Sequence, residues 1–169
     1  FEVFADTPSE MIRQAKLIAG WAENVYVKVP ISTTKGESCS GVIRELTAMG
    51  VKLNVTALMT VSQVYDVASN LEASVPAVVS VFAGRIADTG RDPVPIMREC
   101  GSVLASFPVA ELLWASPREL LNIVQADEIG CDIITVTPDL LKKLEFLGKD
   151  LTEFSVETVR MFYQDAAEA

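Results

Sequence analysis

Short apolar, β-branched runs alternate with amphipathic stretches along the whole chain, so that a two-residue period gives way to a 3.6-residue period and then returns. The pattern predicts strands near residues 1–5, 25–29, 52–57, 77–82, 111–115 and 132–136. Helices are predicted over residues 8–21, 39–49, 61–71, 94–105, 117–128 and 139–147, with a last one near 155–167. Thr7 before Pro8, Ser116 before Pro117 and Thr137 before Pro138 read as helix starts. Gly50 and Gly130 sit where helices should stop. Strands alternating with helices define an α/β protein with a parallel sheet, and no linker or composition shift divides it into domains.

Glu2, Lys28, Asn54 and Ser80 fall 26 residues apart, each in a strand run, which marks a repeating βα unit and not a solenoid motif. About six such units account for the chain, whereas a (β/α)8 TIM barrel typically needs about 250 residues and at least about 200. Two architectures fit: a barrel with about six of its eight βα units present, or an open doubly wound sheet of six strands.

Strands of an all-parallel sheet are covered on both faces, so polar residues inside them require a reason. Alternation in Val25-Tyr26-Val27-Lys28-Val29-Pro30 puts the valines on one face and Tyr26 and Lys28 on the other. In a barrel, Lys28 would face the lumen near the C-terminal end of its strand, where barrel active sites are built, and desolvation there disfavours the ammonium form. A free lysine with pKa about 10.4 is neutral in roughly one molecule in 2,500 at pH 7, whereas a pKa near 7 to 8 makes roughly 10 to 50% available as the amine a Schiff base needs. A structural lysine paired with a carboxylate fits the same spacing. Glu2 is a lumen candidate that suits either reading, as that partner or as a proton-transfer group. Asn54 with Thr56, and Ser80 with Phe82, share faces that could line the same cavity. Asn54-Val55-Thr56 also matches a glycosylation sequon, an accidental match within a buried strand.

Composition narrows the chemistry. The 169 residues contain no histidine and carry a formal charge of −9, which removes Ser-His-Asp triads, Cys-His dyads and histidine metal sites within the chain and argues against nucleic acid or anionic membrane as partner. Half the residues are apolar and mean hydropathy is +0.31, which excludes a disordered chain. No apolar run approaches the roughly 20 residues of a membrane span. Cys39, Cys100 and Cys131, an odd and widely spaced set, read as reduced thiols of a cytoplasmic protein packed in its core. An anionic substrate therefore needs a local basic site. Arg85 follows a strand, while Ser116, Arg118 and the free amides of a helix beginning at Pro117 would make a phosphate site. Lys35 and Arg91 are weaker candidates in polar loops. The acidic cluster at residues 88–92 reads as a solvated loop rather than a metal site, since its carboxylates lack ligand spacing.

Taken together, Val25-Tyr26-Val27-Lys28-Val29-Pro30, Leu53-Asn54-Val55-Thr56, Phe82-Ala83-Gly84-Arg85-Ile86, Trp114-Ala115-Ser116-Pro117-Arg118 and Ile134-Thr135-Val136-Thr137 resemble the small transaldolases, the branch that includes fructose-6-phosphate aldolase. The resemblance runs the length of the chain. It implies the barrel, a catalytic Schiff-base lysine at Lys28, and proton transfer by Glu2 through a water held by Thr56. It also implies substrate contacts from Asn54, Ser80 and Phe82, and phosphate contacts from Arg85, Ser116 and Arg118. Glutamate at position 2 and phenylalanine at 82 match the transaldolases, where the aldolases carry glutamine and tyrosine. The implied reaction moves a dihydroxyacetone unit from a ketose phosphate to an aldose phosphate in the pentose phosphate pathway, in the cytoplasm, with no metal or organic cofactor. The family's first strand, with its aspartate, and its second, with a Thr-Asn-Pro segment, have no counterpart here, so the natural protein is expected to carry roughly 50 further N-terminal residues. The amphipathic stretch 154–169 is expected to pack on a neighbouring subunit of a homo-oligomer or, equally, to close its own barrel. Two alternatives stay open: an aldolase releasing free dihydroxyacetone from the same site, and a non-catalytic truncated barrel serving in binding or assembly.

Overall fold

A computed structural model describes residues 1–168, which form two compact units, Phe1–Val136 and a second beginning at Thr137. In the first unit, five strands form one parallel sheet: β1 (Val27–Pro30), β2 (Leu53–Leu58), β3 (Ala77–Val81), β4 (Ala110–Trp114) and β5 (Ile133–Ile134). Their spatial order is β1-β2-β3-β4-β5, the order of the chain itself. A doubly wound sheet reverses its strand order at a switch point, and none occurs here, so that alternative is set aside for the barrel type. The sheet is not closed. Six helices belong to this unit: α1 (Pro8–Ala19), α2 (Ser40–Ala48), α3 (Val61–Ala68), α4 (Ala83–Asp88), α5 (Pro93–Leu104) and α6 (Leu121–Glu128).

The strand predicted over residues 1–5 is reduced to a bridge. Glu2 pairs with Lys28 beyond β1, Lys28 N–H donates to the Phe1 carbonyl at 2.7 Å, and Val3 N–H donates to the Lys28 carbonyl at 3.1 Å. The last strand shrinks from five predicted residues to Ile133–Ile134.

Alternation sorts the sheet into two unlike faces. Val27, Val29, Leu53, Val55, Val79, Val81, Leu112 and Trp114 pack with helix residues such as Ala15, Ile43, Leu46, Val67 and Met97 in one core. Each such valine, leucine, isoleucine or methionine stabilises the fold by about 1.5–3 kcal/mol through burial, before the entropy of ordering is subtracted. The opposite face holds only a small apolar group, Val78, Leu113 and Ala115 with Tyr26, Phe82 and Ile133 against it. One covered face and one inner face is the arrangement of a barrel wall.

A bulge in β2 adjusts this sorting. Val55 pairs with Val79 but Leu58 with Val81, so β2 carries one extra residue, and Ala57 takes up the irregularity at φ 67°. Regular alternation would send Leu58 inward. The bulge instead leaves Thr56 lining the inner cavity and keeps Leu58 fully buried in the helix-side core.

Helix ends depart from expectation where local hydrogen bonding decides them. Thr7 precedes Pro8 as expected but makes no side-chain cap. The helix predicted from residue 117 starts at Leu121, and Ser116 is not its cap: its backbone is left-handed, φ 58°. Thr60 and Gln63 form a reciprocal capping box at α3, and Asp92 caps α5 by accepting from Val94 N–H at 2.9 Å. Gly50 and Gly130 end helices at φ 79° and 69°, as glycine there allows.

The second unit contains α7 (Pro138–Lys142), a 3₁₀ turn (Lys143–Phe146) and α8 (Leu151–Ala167). The single helix predicted over 139–147 is therefore two short pieces. Asp150 accepts from Glu153 N–H at 2.9 Å and so starts α8 at Leu151 rather than 155. The Phe146 and Phe154 rings stack at 5.7 Å with the Lys149 ammonium over both, and that ammonium pairs with Glu157.

All three cysteines are free, with Cys39 and Cys100 buried. Burial pushes the Cys100 thiol up to about 11 from 9.0, because a thiolate there would be desolvated. The folded state thus holds this proton more tightly than the unfolded state does. Stability is complete below pH 9 and declines as pH rises toward 11, by up to about 3 kcal/mol from this group. Urea unfolding at pH 8, 9.5 and 11 is expected to show a shallower alkaline loss in Cys100→Ala than in the unmodified chain. An identical pH slope in both would contradict the assignment.

Candidate active site

The inner face opens on a cavity of about 230 Å³ lined by Lys28, Asn54, Thr56, Ser80, Phe82, Leu113, Ala115, Ser116 and Thr135. Seven of the nine residues proposed from sequence are in this lining or bonded to it: Lys28, Asn54, Thr56, Ser80, Phe82, Ser116 and Glu2. The 26-residue spacing is the reason. Parallel pairing sets Glu2 beside Lys28 and Lys28 beside Asn54, so equal intervals along the chain become neighbours across the sheet. The next step is staggered: Asn54 pairs with Val78, and Ser80 lies one inward position further along β3.

Lys28 Nζ lies 3.3 Å from Glu2 Oε2, and its side chain is 35% exposed. The lysine is therefore less dry than its strand position suggests, and of the two roles open to Glu2 the structure displays the ion-pair partner. With Glu2 half-exposed, such a pair contributes no more than about 1 kcal/mol to folding. Beside it, Ser80 Oγ donates to Asn54 Oδ1 at 2.7 Å, which fixes the amide and leaves Asn54 Nδ2 with both hydrogens to offer the cavity. Thr56 is buried, and its Oγ1 has no hydrogen-bond partner among the described residues. An unpaired buried hydroxyl costs about 1–3 kcal/mol unless a water or ligand satisfies it. Trp114, behind the inner face, has a buried indole N–H in the same condition.

Of the two arginines, Arg85 lies in the segment after β3 and Arg118 in the segment after β4. Residues 83–88, to which no element is assigned from the sequence, form the helix α4, missed because six residues are too few to show periodicity. Arg85 lies over the Phe82 ring, 5.2 Å from its centre. Arg118 is held by Asp88: Nε donates to Oδ1 at 3.1 Å and Nη2 to Oδ2 at 2.5 Å. Asp88 thus belongs to α4 and to an ion pair, not to a solvated acidic loop. The expected free amides are also engaged, since Arg118 N–H and Glu119 N–H both donate to the buried Asn122 Oδ1, at 2.7 and 3.1 Å. Arg91 bonds its neighbour Thr89. Lys35 stays in the loop after β1, which is pinned by Asp6 accepting from Thr34 N–H and Oγ1. Those two bonds, with the Thr34 hydroxyl foremost, hold the Asp6 carboxyl below its usual range. Among the described residues no group of three or more cysteine or acidic side chains could hold a metal ion, and no helix is long and apolar enough to cross a membrane.

A parallel barrel-type sheet with a paired lysine, an amide and an unsatisfied threonine hydroxyl on its inner face, and arginines at its C-terminal rim, defines the class. The chain matches the transaldolase/fructose-6-phosphate aldolase family over residues 1–169. It is 34% identical over 145 residues to a probable transaldolase 2 of Listeria monocytogenes, covering 85% of this chain and 62% of that protein. It is 30% identical over 158 residues to a probable transaldolase of Nitrosopumilus maritimus, covering 92% and 67%, and 29% identical over 170 residues to one of Herpetosiphon aurantiacus, covering 99% and 72%. This chain belongs to the transaldolase/fructose-6-phosphate aldolase family. It spans about three fifths of the length of the Listeria relative.

One backbone contact makes the rim geometry sensitive. A β-carbon on Gly84 would stand 1.5 Å from the Ser116 carbonyl oxygen and 3.3 Å from Arg118 Nε, so only glycine lets α4 seat against this segment. Gly84→Ala is expected to cost at least about 3 kcal/mol in urea unfolding. A loss below about 1 kcal/mol would show that the segment yields easily.

Proposed function

We propose that this protein performs Schiff-base chemistry on sugar phosphates as a transaldolase. It would move a dihydroxyacetone unit from a ketose phosphate, such as fructose 6-phosphate or sedoheptulose 7-phosphate, to an aldose phosphate, such as glyceraldehyde 3-phosphate or erythrose 4-phosphate. The observation that carries this reading is the meeting, at one cavity, of a lysine nitrogen 3.3 Å from a carboxylate and a buried hydroxyl that lacks a partner.

In this reading Glu2 accepts the proton that Lys28 sheds, and the freed amine attacks the substrate ketone to give a carbinolamine. Thr56 Oγ1 holds a water between Glu2 and the departing hydroxyl, which leaves as water and yields the protonated imine. That imine receives the electron pair of the cleaved carbon–carbon bond as the neighbouring hydroxyl gives its proton to solvent and the donor fragment departs as an aldehyde; the resulting enamine adds to the acceptor aldehyde, whose oxygen takes up a proton, and water hydrolyses the new imine to free the product and Lys28. Asn54 Nδ2 donates to a substrate oxygen. Arg85, Arg118 and Ser116 hold the phosphate, whose binding energy orients the reacting carbons. Soluble, cytoplasmic sugar phosphates and assembly into a homo-oligomer of single barrel domains belong to the same proposal.

Borohydride reduction in the presence of fructose 6-phosphate, followed by peptide mapping, is expected to place a reduced adduct on Lys28 that disappears in Lys28→Ala. Thr56→Ala should slow its formation by about 10- to 100-fold. An adduct on Lys35, or none on any lysine, would overturn the proposal; the second result is what a non-catalytic binding module predicts. Turnover that depends on an added acceptor aldose separates transfer from aldolase release of free dihydroxyacetone.

A further inference from the structure

The carboxylate of Asp88 is used by none of the steps above, yet it makes the closest charged contact at the rim. We propose that Asp88 is a positioning residue of the anion site, holding one edge of the Arg118 guanidinium so that the other edge is presented to the phosphate of a phosphorylated substrate. The inference rests on the reading of Arg118 as a phosphate ligand.

A guanidinium has five N–H donors in a rigid planar fork. Asp88 takes two of them, along the Nε–Nη2 edge, in a side-on bidentate pair at 3.1 and 2.5 Å. Three donors remain, two on Nη1 and one on Nη2, which is the set a second bidentate acceptor such as phosphate requires. Both side chains are about half exposed, 49% and 52%, so the pair adds little to fold stability, and its geometric effect on the fork outweighs its energy. The rest of the rim serves the same end. Asn122 fixes the backbone from which Arg118 springs, Gly84 lets the segment seat on α4, and the Phe82 ring supports Arg85 from the same short helix that supplies Asp88. An arginine on a long flexible stem loses side-chain entropy when it captures an anion, and a fork already held loses less.

The test titrates inorganic phosphate by calorimetry into the full chain and its Asp88→Asn, Asp88→Glu and Arg118→Ala variants, and measures half-saturation of borohydride trapping with fructose 6-phosphate and with dihydroxyacetone. Asp88→Asn is expected to weaken phosphate binding and raise half-saturation for fructose 6-phosphate by about 3- to 10-fold. Half-saturation for dihydroxyacetone, which has no phosphate, should stay within about twofold, and Asp88→Glu should recover part of the loss. Unchanged or tighter phosphate binding in Asp88→Asn would overturn the positioning role, as would equal losses with both substrates or a lowered urea midpoint that accounts for the change. Unchanged phosphate binding in Arg118→Ala would instead remove the reading of Arg118 on which the proposal stands.

Discussion

Register between parallel strands is the constraint on which the rest of the molecule depends. Each strand must spend its backbone donors and acceptors on its neighbours, and once Val27 pairs with Leu53 and Val55 with Val79, the two faces of the sheet are assigned for every residue between. The helix side then takes the valines and leucines, and the inner side receives whatever polar groups the sequence has placed out of phase with them. Glu2, Lys28 and Asn54 are adjacent for this reason alone, with no loop needed to gather them. A site built on strand backbone is held more tightly than one built on connections, which suits chemistry that depends on a few tenths of an ångström.

The inner face is costly to the fold in small amounts at several points. Thr56 has a buried hydroxyl without a partner among the described residues, Ala57 occupies a left-handed conformation that alanine disfavours, and Ser116 is left-handed at the rim. Thr56 and Ser116 line one cavity and Ala57 follows Thr56 directly, so the local strain is concentrated at one end of the sheet. The Lys28–Glu2 pair fits that distribution, since at its exposure it adds little to stability.

Much of the architecture was legible because period-2 and period-3.6 patterns are strong where elements are long. Val27-Lys28-Val29 and Leu53-Asn54-Val55 announce both their strands and the faces of their polar residues. What was not legible involved short elements and tertiary competition. The helix carrying Gly84, Arg85 and Asp88 has six residues, so its apolar positions show no period, and Asp88 could not be matched to an arginine 30 positions away. Ser116-Pro117 imitates a helix start, but the Ser116 carbonyl is needed against Gly84 and Asn122 claims the following amides, so the helix begins four residues later than predicted. The extra residue in β2 left no sign, because Leu53-Asn54-Val55-Thr56-Ala57 alternates as a regular strand would. The stagger that brings Ser80 to Asn54 through a 26-residue interval was foreshadowed only as a spacing.

The two tryptophans occupy opposite environments in the first unit. Trp114 is wholly enclosed behind the sheet's inner face, and Trp21 stands more than half in solvent with its ring edge-on to Phe1. Trp114 should therefore emit at short wavelength and resist quenching by iodide, while Trp21 emits to the red and is quenched. Because Trp114 ends β4 between Leu113 and Ala115, which line the cavity, the protein carries its own optical reporter of what enters there, with an internal reference in Trp21 just past the end of α1.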